Sequence, residues 1–350
     1  MRIYLLALIA SFALFAVDIQ AQEKPVGTLE VVAEMDVSPG NVAVSKEGRV
    51  FSSIHPFRAT NLQLVEVTGN NAYLPFPNDQ VQSTAKTKSD DKLDTPLGIV
   101  FDNRNRLWVL DVGLNIGKTR LFAYDIETRQ ELYRFDIPLD IAPSTSFVQD
   151  LVVDEDNGFV YLADVRCPGI IVVDMNKNTF RMISDLPSMK AEDIDIVIDD
   201  HVSMLRGNPA RVSLDPITIS EDRETLYFGA MNGTKWYQLP TKNIRDGEAH
   251  EELIKRISIV GAKPICDGAA TDENGNHFFT NVQNYSIDVL SSDGKSSTLV
   301  KDPMLDWPDS ARIHGDWLYI AANQIHKSPT FTGDKELRTA PFRVLRVKFK

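Results

Sequence analysis

Several acidic and amide side chains stand at or near the start of short apolar stretches that are far apart along the chain. Such side chains can bind a cation, or they can cap backbone N–H groups of nearby turns, which is an equally good explanation for any one of them. If the fold brings them together, their mutual repulsion must be offset by a metal ion, bound protons or a cationic ligand. The candidates are Asn41, Gln149, Asp150, Asp215, Asp267 and Asp309.

The residue types limit the chemistry that this set could perform. Oxygen ligands without histidine or cysteine suit Ca²⁺ or Mg²⁺ rather than zinc, and a cationic amine is the other charge that they could balance. The sequence contains no GxSxG nucleophile motif, no phosphate-binding P-loop and no dinucleotide fingerprint. No cofactor is therefore certain, and calcium or another divalent metal is the one cofactor that the residues suggest.

The elements that would position these side chains recur six times. Each copy is an alternating apolar stretch, a polar turn and a second apolar stretch, which is typical of a β-hairpin. The copies lie 42 to 66 residues apart, close to the period of propeller blades. They begin at Asn41, Gly98, Asp150, Pro216, Gly268 and Ser310.

Further strand pairs between the copies complete four strands per unit. The sequence thus predicts an all-β fold, a single six-bladed β-propeller over residues 22–350, closed by pairing Leu29–Met35 with the segment from Phe342. Innermost strands start near the mouth of the central channel, so the six candidates are expected to meet there and bind a small ligand. Two stretches interrupt the repeat: residues 70–95 are expected to form a surface loop, and residues 186–212 to cover one face of the channel.

The N-terminal residues 1–21 have the features of a secretory signal peptide. Arg2 precedes an apolar run from Ile3 to Val17, and small Ala21 precedes the expected cleavage site. This predicts a secreted or periplasmic protein without a membrane span. The net charge of −12 argues against nucleic-acid partners, and a monomer is expected. Cys167 and Cys266 are expected to remain free rather than form a disulfide bond.

Four segments in chain order resemble the major royal jelly protein/Yellow family. They begin at Thr95 (TPLGIVFDNRNRLWVLDVG), Phe147 (FVQDLVVDEDNGFVYLADVRCPG), Cys266 (CDGAATDENGNHFFT) and Trp307 (WPDSARIHGDWLYIAANQIH). The resemblance implies a secreted propeller, and its members include bacterial proteins, insect pigmentation proteins and salivary amine binders. It implies a ligand at the channel mouth, whether amine, aromatic or sugar-like, bound by Gln149, Asp150, Asp215, Asp267, Asp309 and Asn323. Asn323 is included among these ligand contacts because it aligns with a position that contacts the ligand in amine-binding members.

A more distant resemblance connects the chain to gluconolactonase and regucalcin-like (SMP-30) propellers. It implies a divalent metal held by Asn41, Asp150, Asp215 and Asp267, and, as the alternative function, a metal-dependent lactonase or tautomerase-like enzyme. Asp267-Gly268 matches the metal-binding pair of that family. Asn41 stands where the lactonases have glutamate, and Asp215-Pro216 where they have Asn-Gly.

One histidine and three tryptophans near these motifs have two readings each. His326 could transfer protons, but a lone histidine is more often a packed side chain. Trp108, Trp307 and Trp317 could form an aromatic cage for a cation. The positions of Trp108 and Trp317 in the middle of strands favour core packing, whereas Trp307 is expected near the mouth.

Overall fold

Six four-stranded antiparallel sheets form the fold, which confirms the predicted six-bladed propeller. The computed structural model describes residues 24–58, 60–84, 87 and 89–350, so the predicted signal peptide lies outside the described residues. From the innermost strand outwards, blade 1 is Pro39–Val44, Val50–Ile54, Leu64–Gly69 and Ala72–Pro75; blade 2 is Pro96–Phe101, Arg106–Asp111, Arg120–Asp125 and Glu131–Asp136; blade 3 is Val148–Asp154, Phe159–Asp164, Gly169–Asp174 and Thr179–Ser184. Blade 4 is Leu214–Ile219, Thr225–Ala230, Lys235–Pro240 and Ser258–Ala262; blade 5 is Cys266–Thr271, His277–Asn281, Ser286–Leu290 and Ser296–Lys301; blade 6 is Pro308–His314, Trp317–Ala322, Phe342–Lys348 and Leu29–Met35.

Blade 6 joins the two ends of the described chain. Leu29–Met35 pairs antiparallel with Phe342–Lys348, as the sequence predicted, so the N-terminal strand supplies the outer edge of the last blade. Met35 and Phe342 are paired and fully buried. The closure therefore removes an open sheet edge and adds apolar burial at the same place.

The apolar core lies between neighbouring blades. Each blade alternates its buried side chains between two faces, so one face packs on the preceding blade and the other on the following blade. Tyr161 of blade 3 and Phe228 of blade 4, for example, share one cluster. Trp108 is fully buried in the cluster between blades 2 and 3, and Trp317 packs against the cluster between blades 6 and 1, which confirms core packing for both.

The register shifts in the innermost pair of every blade, at the end that faces the mouth. The irregularities fall between Pro39/Val42, Pro96/Ile99, Val148/Asp150, Leu214/Ile217, Cys266/Ala269 and Pro308/Ala311. Bulges of this kind turn side chains away from the regular alternation. Six bulges at one end of the channel therefore set the directions of the side chains at the mouth.

The segment 70–95 is more ordered than a surface loop, so that prediction was partly wrong. Ala72–Pro75 is the outermost strand of blade 1, and Gln82 is buried and bridges to Leu93. The Gln82 side chain donates to the Phe76 carbonyl at 2.8 Å and accepts from the Gln63 N–H at 2.7 Å. These hydrogen bonds connect the polar segment around Gln82 to blade 1.

The segment 186–212 covers the mouth, as predicted, but it does so as two short hairpins. Val197–Ile198 pairs with His201–Val202, and Met204–Leu205 with Asn208–Pro209. The remaining elements are the 3₁₀ helices Pro187–Met189 and Ile325–Lys327 and the α-helices Thr241–Arg245, His250–Arg256 and Pro329–Thr332.

Two general expectations can be compared with the described chain. None of the helices there is long and apolar enough to cross a membrane. Cys167 is half-buried and Cys266 is buried, and both thiols are free, as expected from the sequence.

Candidate functional site

A cavity of about 980 Å³ opens at the mouth of the channel. Its acidic floor consists of Asp215, Asp267 and Asp309, beside Gln149. Its aromatic wall consists of Phe57, Phe147, Trp307 and Phe331, and the hairpin Met204–Leu205/Asn208–Pro209 lies over one side. Its volume lies at the upper end of the usual range for small-molecule sites.

The first half of the floor joins blades 3, 4 and 5. Gln149 Nε2 donates a hydrogen bond to Asp215 Oδ1, and the Asp215 carboxyl group is hydrogen-bonded to Asp267. Trp307 Nε1 donates to Asp267 Oδ2. Two carboxyl groups this close repel each other when both are charged, so the arrangement favours a proton on one of them.

The second half of the floor joins blades 1 and 6. Asn323 Nδ2 donates to Asp309 Oδ2 at 2.6 Å, and Asn41 Nδ2 donates to Asp309 Oδ1 at 3.3 Å. Asn323 is itself fixed, because its Oδ1 accepts from the Ile325 N–H at 3.1 Å. Asp309 is thus held by two side-chain amides that make further hydrogen bonds within the protein.

Arg312 crosses the channel beneath this floor. Its guanidinium donates to Asp150 Oδ1 at 2.7 Å, to Asn41 Oδ1 at 3.2 Å and to the Ile99 carbonyl at 3.2 Å, so it connects blade 6 with blades 1, 2 and 3. Below it lies a second cavity of about 210 Å³, lined by the far halves of all six innermost strands. The two cavities share no lining residue, so Arg312 separates them.

Burial and mutual repulsion govern the charge of the floor. Burial, followed by repulsion from Asp267, raises the pKa of both Asp215 and Asp309 well above the usual value. Burial raises the pKa of Asp267 to about 6, although hydrogen bonds from Trp307, Asp215 and Gln149 oppose the rise. Burial also raises the pKa of Asp150, against the attraction of Arg312. The floor therefore retains protons near neutral pH, and a cation could replace them.

The hydrogen-bond donors around the carboxylates do not fit a divalent metal at the predicted ligands. The Arg312 guanidinium occupies the space between Asn41 and Asp150, and N–H groups of Gln149 and Trp307 point at Asp215 and Asp267. Within the described part of the chain, no group of three or more His, Cys, Asp or Glu side chains is arranged to hold a metal ion. The prediction of Asn41, Asp150, Asp215 and Asp267 as metal ligands gains no support from these contacts.

The seven residues predicted from the sequence as ligand or metal contacts belong to two groups of hydrogen-bonded side chains at the channel mouth. Gln149, Asp215, Asp267 and Asp309 line the cavity. Asn41, Asp150 and Asn323 do not line it; they lie behind the floor and hold Asp309 and Arg312.

Two aromatic predictions near the mouth can also be placed. Trp307 lines the cavity, as expected. His326 does not line it; the imidazole stacks on the Trp307 ring at 5.6 Å, and burial lowers its pKa to about 4. The packed role of His326 is the one that the structure supports.

Sequence reasoning missed several cavity residues and the channel arginine. Phe57, Phe147 and Phe331 lie in loops or short helices outside the repeat, where no pattern predicted their direction. His55 also lines the cavity, and burial lowers its pKa to about 3, so it is neutral. The position of Arg312 in the channel could have been predicted from the sequence, because Arg312 is the one Arg or Lys in the six innermost strands.

Solved structures with a similar fold are distant in sequence. A virginiamycin B lyase from Staphylococcus aureus superposes with a TM-score of 0.54 at 12% identity, covering 92% of this chain and 99% of the lyase. A gluconolactonase from Xanthomonas campestris gives a TM-score of 0.53 at 12% identity, covering 92% of this chain and 89% of the enzyme. At these identities the likeness establishes the propeller architecture alone.

Sequence comparison is more specific. Major royal jelly protein 7 of Apis mellifera is 25% identical over 242 residues, which cover 63% of this chain and 52% of that protein. Protein yellow of Drosophila guanche is 26% identical over 246 residues, 65% of this chain and 39% of that protein. The matches thus span about half or less of these two relatives.

The family profile "Major royal jelly protein" matches residues 95–345, which contain four blades with their bulged strand starts and the acidic floor. This chain, with its six blades and its cavity at the channel mouth, belongs to the major royal jelly protein family.

Proposed function

We propose that this protein is an exported β-propeller that binds a small organic cation, an amine with an aromatic or apolar body, in the cavity at the channel mouth. The observation that carries the proposal is the acidic floor. Asp215, Asp267 and Asp309 face one cavity, and all three are at least nine-tenths buried. The Arg312 guanidinium beneath the floor is already bonded to Asp150 and Asn41.

The burial of three carboxyl groups at one point is unfavourable for folding unless a ligand uses it. Buried charges are normally paired, and groups with strongly raised pKa values cluster at functional sites. An ammonium group would bring the positive charge that the floor lacks and would replace its bound protons. This argument supports a cation at the floor, in preference to a neutral sugar.

The aromatic wall suits the rest of such a ligand. Phe57 and Phe147 have ring centroids 6.2 Å apart, and Trp307 and Phe331 meet edge to face at 5.4 Å. Aromatic faces attract both apolar rings and cations. Trp307 serves both parts of the site, because its ring lines the wall while its N–H is bonded to Asp267.

Calorimetric titration with 2-phenylethylamine tests the proposal. We expect saturable binding to the purified protein and a loss of affinity of about ten-fold or more in Asp215→Asn, since a charged hydrogen-bond partner is removed. Asp156→Asn is the matched control, because that side chain is 73% exposed on a turn of blade 3. Equal affinities in the wild type and Asp215→Asn would contradict an acidic amine site.

Metal-dependent lactone hydrolysis is the alternative that the same residues suggested. Its support is the propeller shared with the gluconolactonase, and the donors that surround the carboxylates argue against it. Metal analysis of the purified protein, with lactone hydrolysis assayed before and after chelation, distinguishes the two functions. Stoichiometric metal together with chelator-sensitive hydrolysis would replace the amine-binding proposal by the enzymatic one.

Export is part of the proposal and rests on the N-terminal sequence. The apolar run from Ile3 to Val17 precedes Ala21, and the named relatives are royal jelly and Yellow proteins. Expression of the full chain followed by N-terminal sequencing of the extracellular or periplasmic fraction tests it. We expect a new N-terminus close to residue 22.

A further inference from the structure

Two arginines that line the same cavity form no ion pair with any residue in the described part of the chain. Arg166 follows the blade 3 strand Phe159–Asp164, and Arg206 lies at the turn of the hairpin Met204–Leu205/Asn208–Pro209. Both line the cavity with the acidic floor. Among the residues that the structure describes, no carboxylate lies within ion-pair distance of either guanidinium, and neither donates a side-chain hydrogen bond.

The surroundings of these two side chains differ from those of other cavity residues. Arg211 lines the same cavity, but it is neutralised by Asp193 and Asp195 at 2.7 and 2.8 Å. Asp334 also lines the cavity without pairing to Arg166 or Arg206 in the described structure. On a chain of net charge −12, two unpaired guanidiniums beside one opening are therefore an exception that needs an explanation.

Local contacts hold the two arginines at the cavity. The Arg166 guanidinium lies over the Phe147 ring, 5.3 Å from its centroid, and Phe147 belongs to the aromatic wall. Arg206 has a left-handed backbone with φ of 52°, and its N–H donates to the Thr330 carbonyl at 3.4 Å. Burial, followed by repulsion from Arg206, lowers the pKa of Arg166, although the attraction of Asp164 opposes the shift. The two positive charges are thus close neighbours.

We propose that the ligand of this cavity is dipolar, with an amine at the acidic floor and a carboxylate bound by Arg166 and Arg206, separated by an aromatic body against the wall. This inference rests on the proposed function, since the amine end is assigned there. Guanidinium groups bind carboxylates through paired, charge-assisted hydrogen bonds, and an anion would relieve the repulsion between the two arginines. An α-amino acid does not meet the requirement, because its two charges are adjacent rather than at opposite ends.

Three matched probes test the inference by calorimetric titration: 2-phenylethylamine, 4-(2-aminoethyl)benzoic acid and 4-ethylbenzoic acid. They carry the amine alone, both charges at opposite ends, and the carboxylate alone. We expect the dipolar probe to bind about ten-fold or more tightly than 2-phenylethylamine. Arg166→Gln, Arg206→Gln and the double variant should reduce this advantage, and they should not weaken the binding of 2-phenylethylamine, which has no carboxylate for the arginines to bind.

Arg104→Gln is the matched control, since that arginine is 58% exposed on a turn of blade 2 and does not line the cavity. Thermal unfolding of each variant verifies that the fold is intact, and the single variants decide the question if the double variant is unstable. Equal affinities for 2-phenylethylamine and the dipolar probe would overturn the inference while leaving the amine site in place. Tight binding of 4-ethylbenzoic acid with no effect of Asp215→Asn would overturn both, as would the absence of saturable binding by every probe.

Discussion

At the scale of single residues, the protonation state of the acidic floor controls what the site can bind. Asp215 and Asp267 are hydrogen-bonded to each other, and burial raises the pKa of both. When both carboxyl groups are protonated the pair is neutral and attracts an amine weakly. Each carboxylate that loses its proton adds a negative charge at a buried position, where the attraction for a cation is stronger than in bulk water.

Amine binding should therefore strengthen as the pH rises. Asp267, with a pKa of about 6, loses its proton between pH 5 and pH 8, whereas a primary alkylamine stays protonated over this range. The affinity for 2-phenylethylamine should therefore increase about ten-fold or more between these two pH values. Binding should also release protons. Titrations at several pH values, repeated in buffers with different ionisation enthalpies, measure both effects.

A pH-independent affinity, or proton uptake on binding, would contradict this account of the floor. Asp156→Asn should show the same pH dependence as the wild type, because Asp156 is exposed and remote from the cavity. Asp215→Asn should show a weaker dependence, since one member of the coupled pair no longer titrates.

The acidic positions were predictable from the sequence, but the basic ones were not. Gln149, Asp215, Asp267 and Asp309 stand at the same place in successive copies of one repeat, and Asp150 stands one residue later, so repeat alignment alone indicated that they meet. Arg166 lies in the connection between the second and third strands of blade 3, and Arg206 lies in the inserted segment between blades 3 and 4, both outside the repeated strands. Their direction depends on contacts with Phe147 and Thr330, which are remote in sequence.

At the scale of elements, glycines allow the innermost strands to approach one another around the mouth. A Cβ atom at Gly268 would lie 2.2 Å from the Asp309 carbonyl oxygen, and one at Gly98 would lie 2.4 Å from the Gln149 carbonyl oxygen. These are backbone atoms, so they cannot rotate away. The bulges that aim the floor side chains therefore depend on backbone contact between neighbouring blades.

Gly268→Ala should destabilise the fold and distort the floor together. We expect a loss of about 2 kcal/mol or more in the free energy of unfolding, because blades 5 and 6 must separate to admit the methyl group. Gly69→Ala is the matched control: it also lies in a strand, and its Cβ would meet only Ala72 at 3.8 Å, an ordinary contact. Denaturant unfolding of both variants measures the difference, and equal stabilities would refute the close-approach argument.

The outermost strands were the elements hardest to predict. Ala72–Pro75 alternates between exposed and half-buried residues and ends in proline, so its pattern resembles that of a loop. Only its pairing with Leu64–Gly69 makes it a strand. Innermost strands, buried on both faces, carried a much clearer apolar signal.

At the scale of the whole molecule, the ring closes through a strand from the opposite end of the chain. Leu29–Met35 contributes Ala33 and Met35 to a core cluster that also contains residues of blade 1. The closing strand thus supports two blades. The sequence predicted this closure because an edge strand left open would invite aggregation, and the pairing of the two segments confirms it.

Met35→Ala should weaken the entire propeller. Truncation of this fully buried side chain is expected to lower the free energy of unfolding by about 2–5 kcal/mol, through lost burial and the cavity that remains. Val31→Ala, in the same strand but 42% exposed, should change it by about 0.5 kcal/mol or less. Thermal and denaturant unfolding compare the two, and a single cooperative transition for both is part of the expectation. Similar losses in both variants would mean that the strand contributes by pairing alone.

Because Arg312 joins blade 6 to blades 1, 2 and 3 beneath the floor, we expect a ligand of the mouth cavity to enter and leave on the side of the covering hairpin rather than through the channel. A bulky compound bound on that side should then slow the release of a smaller ligand without contacting the floor. Release rate and affinity should therefore be separable properties of this protein, the first set by the residues at the opening and the second by the floor.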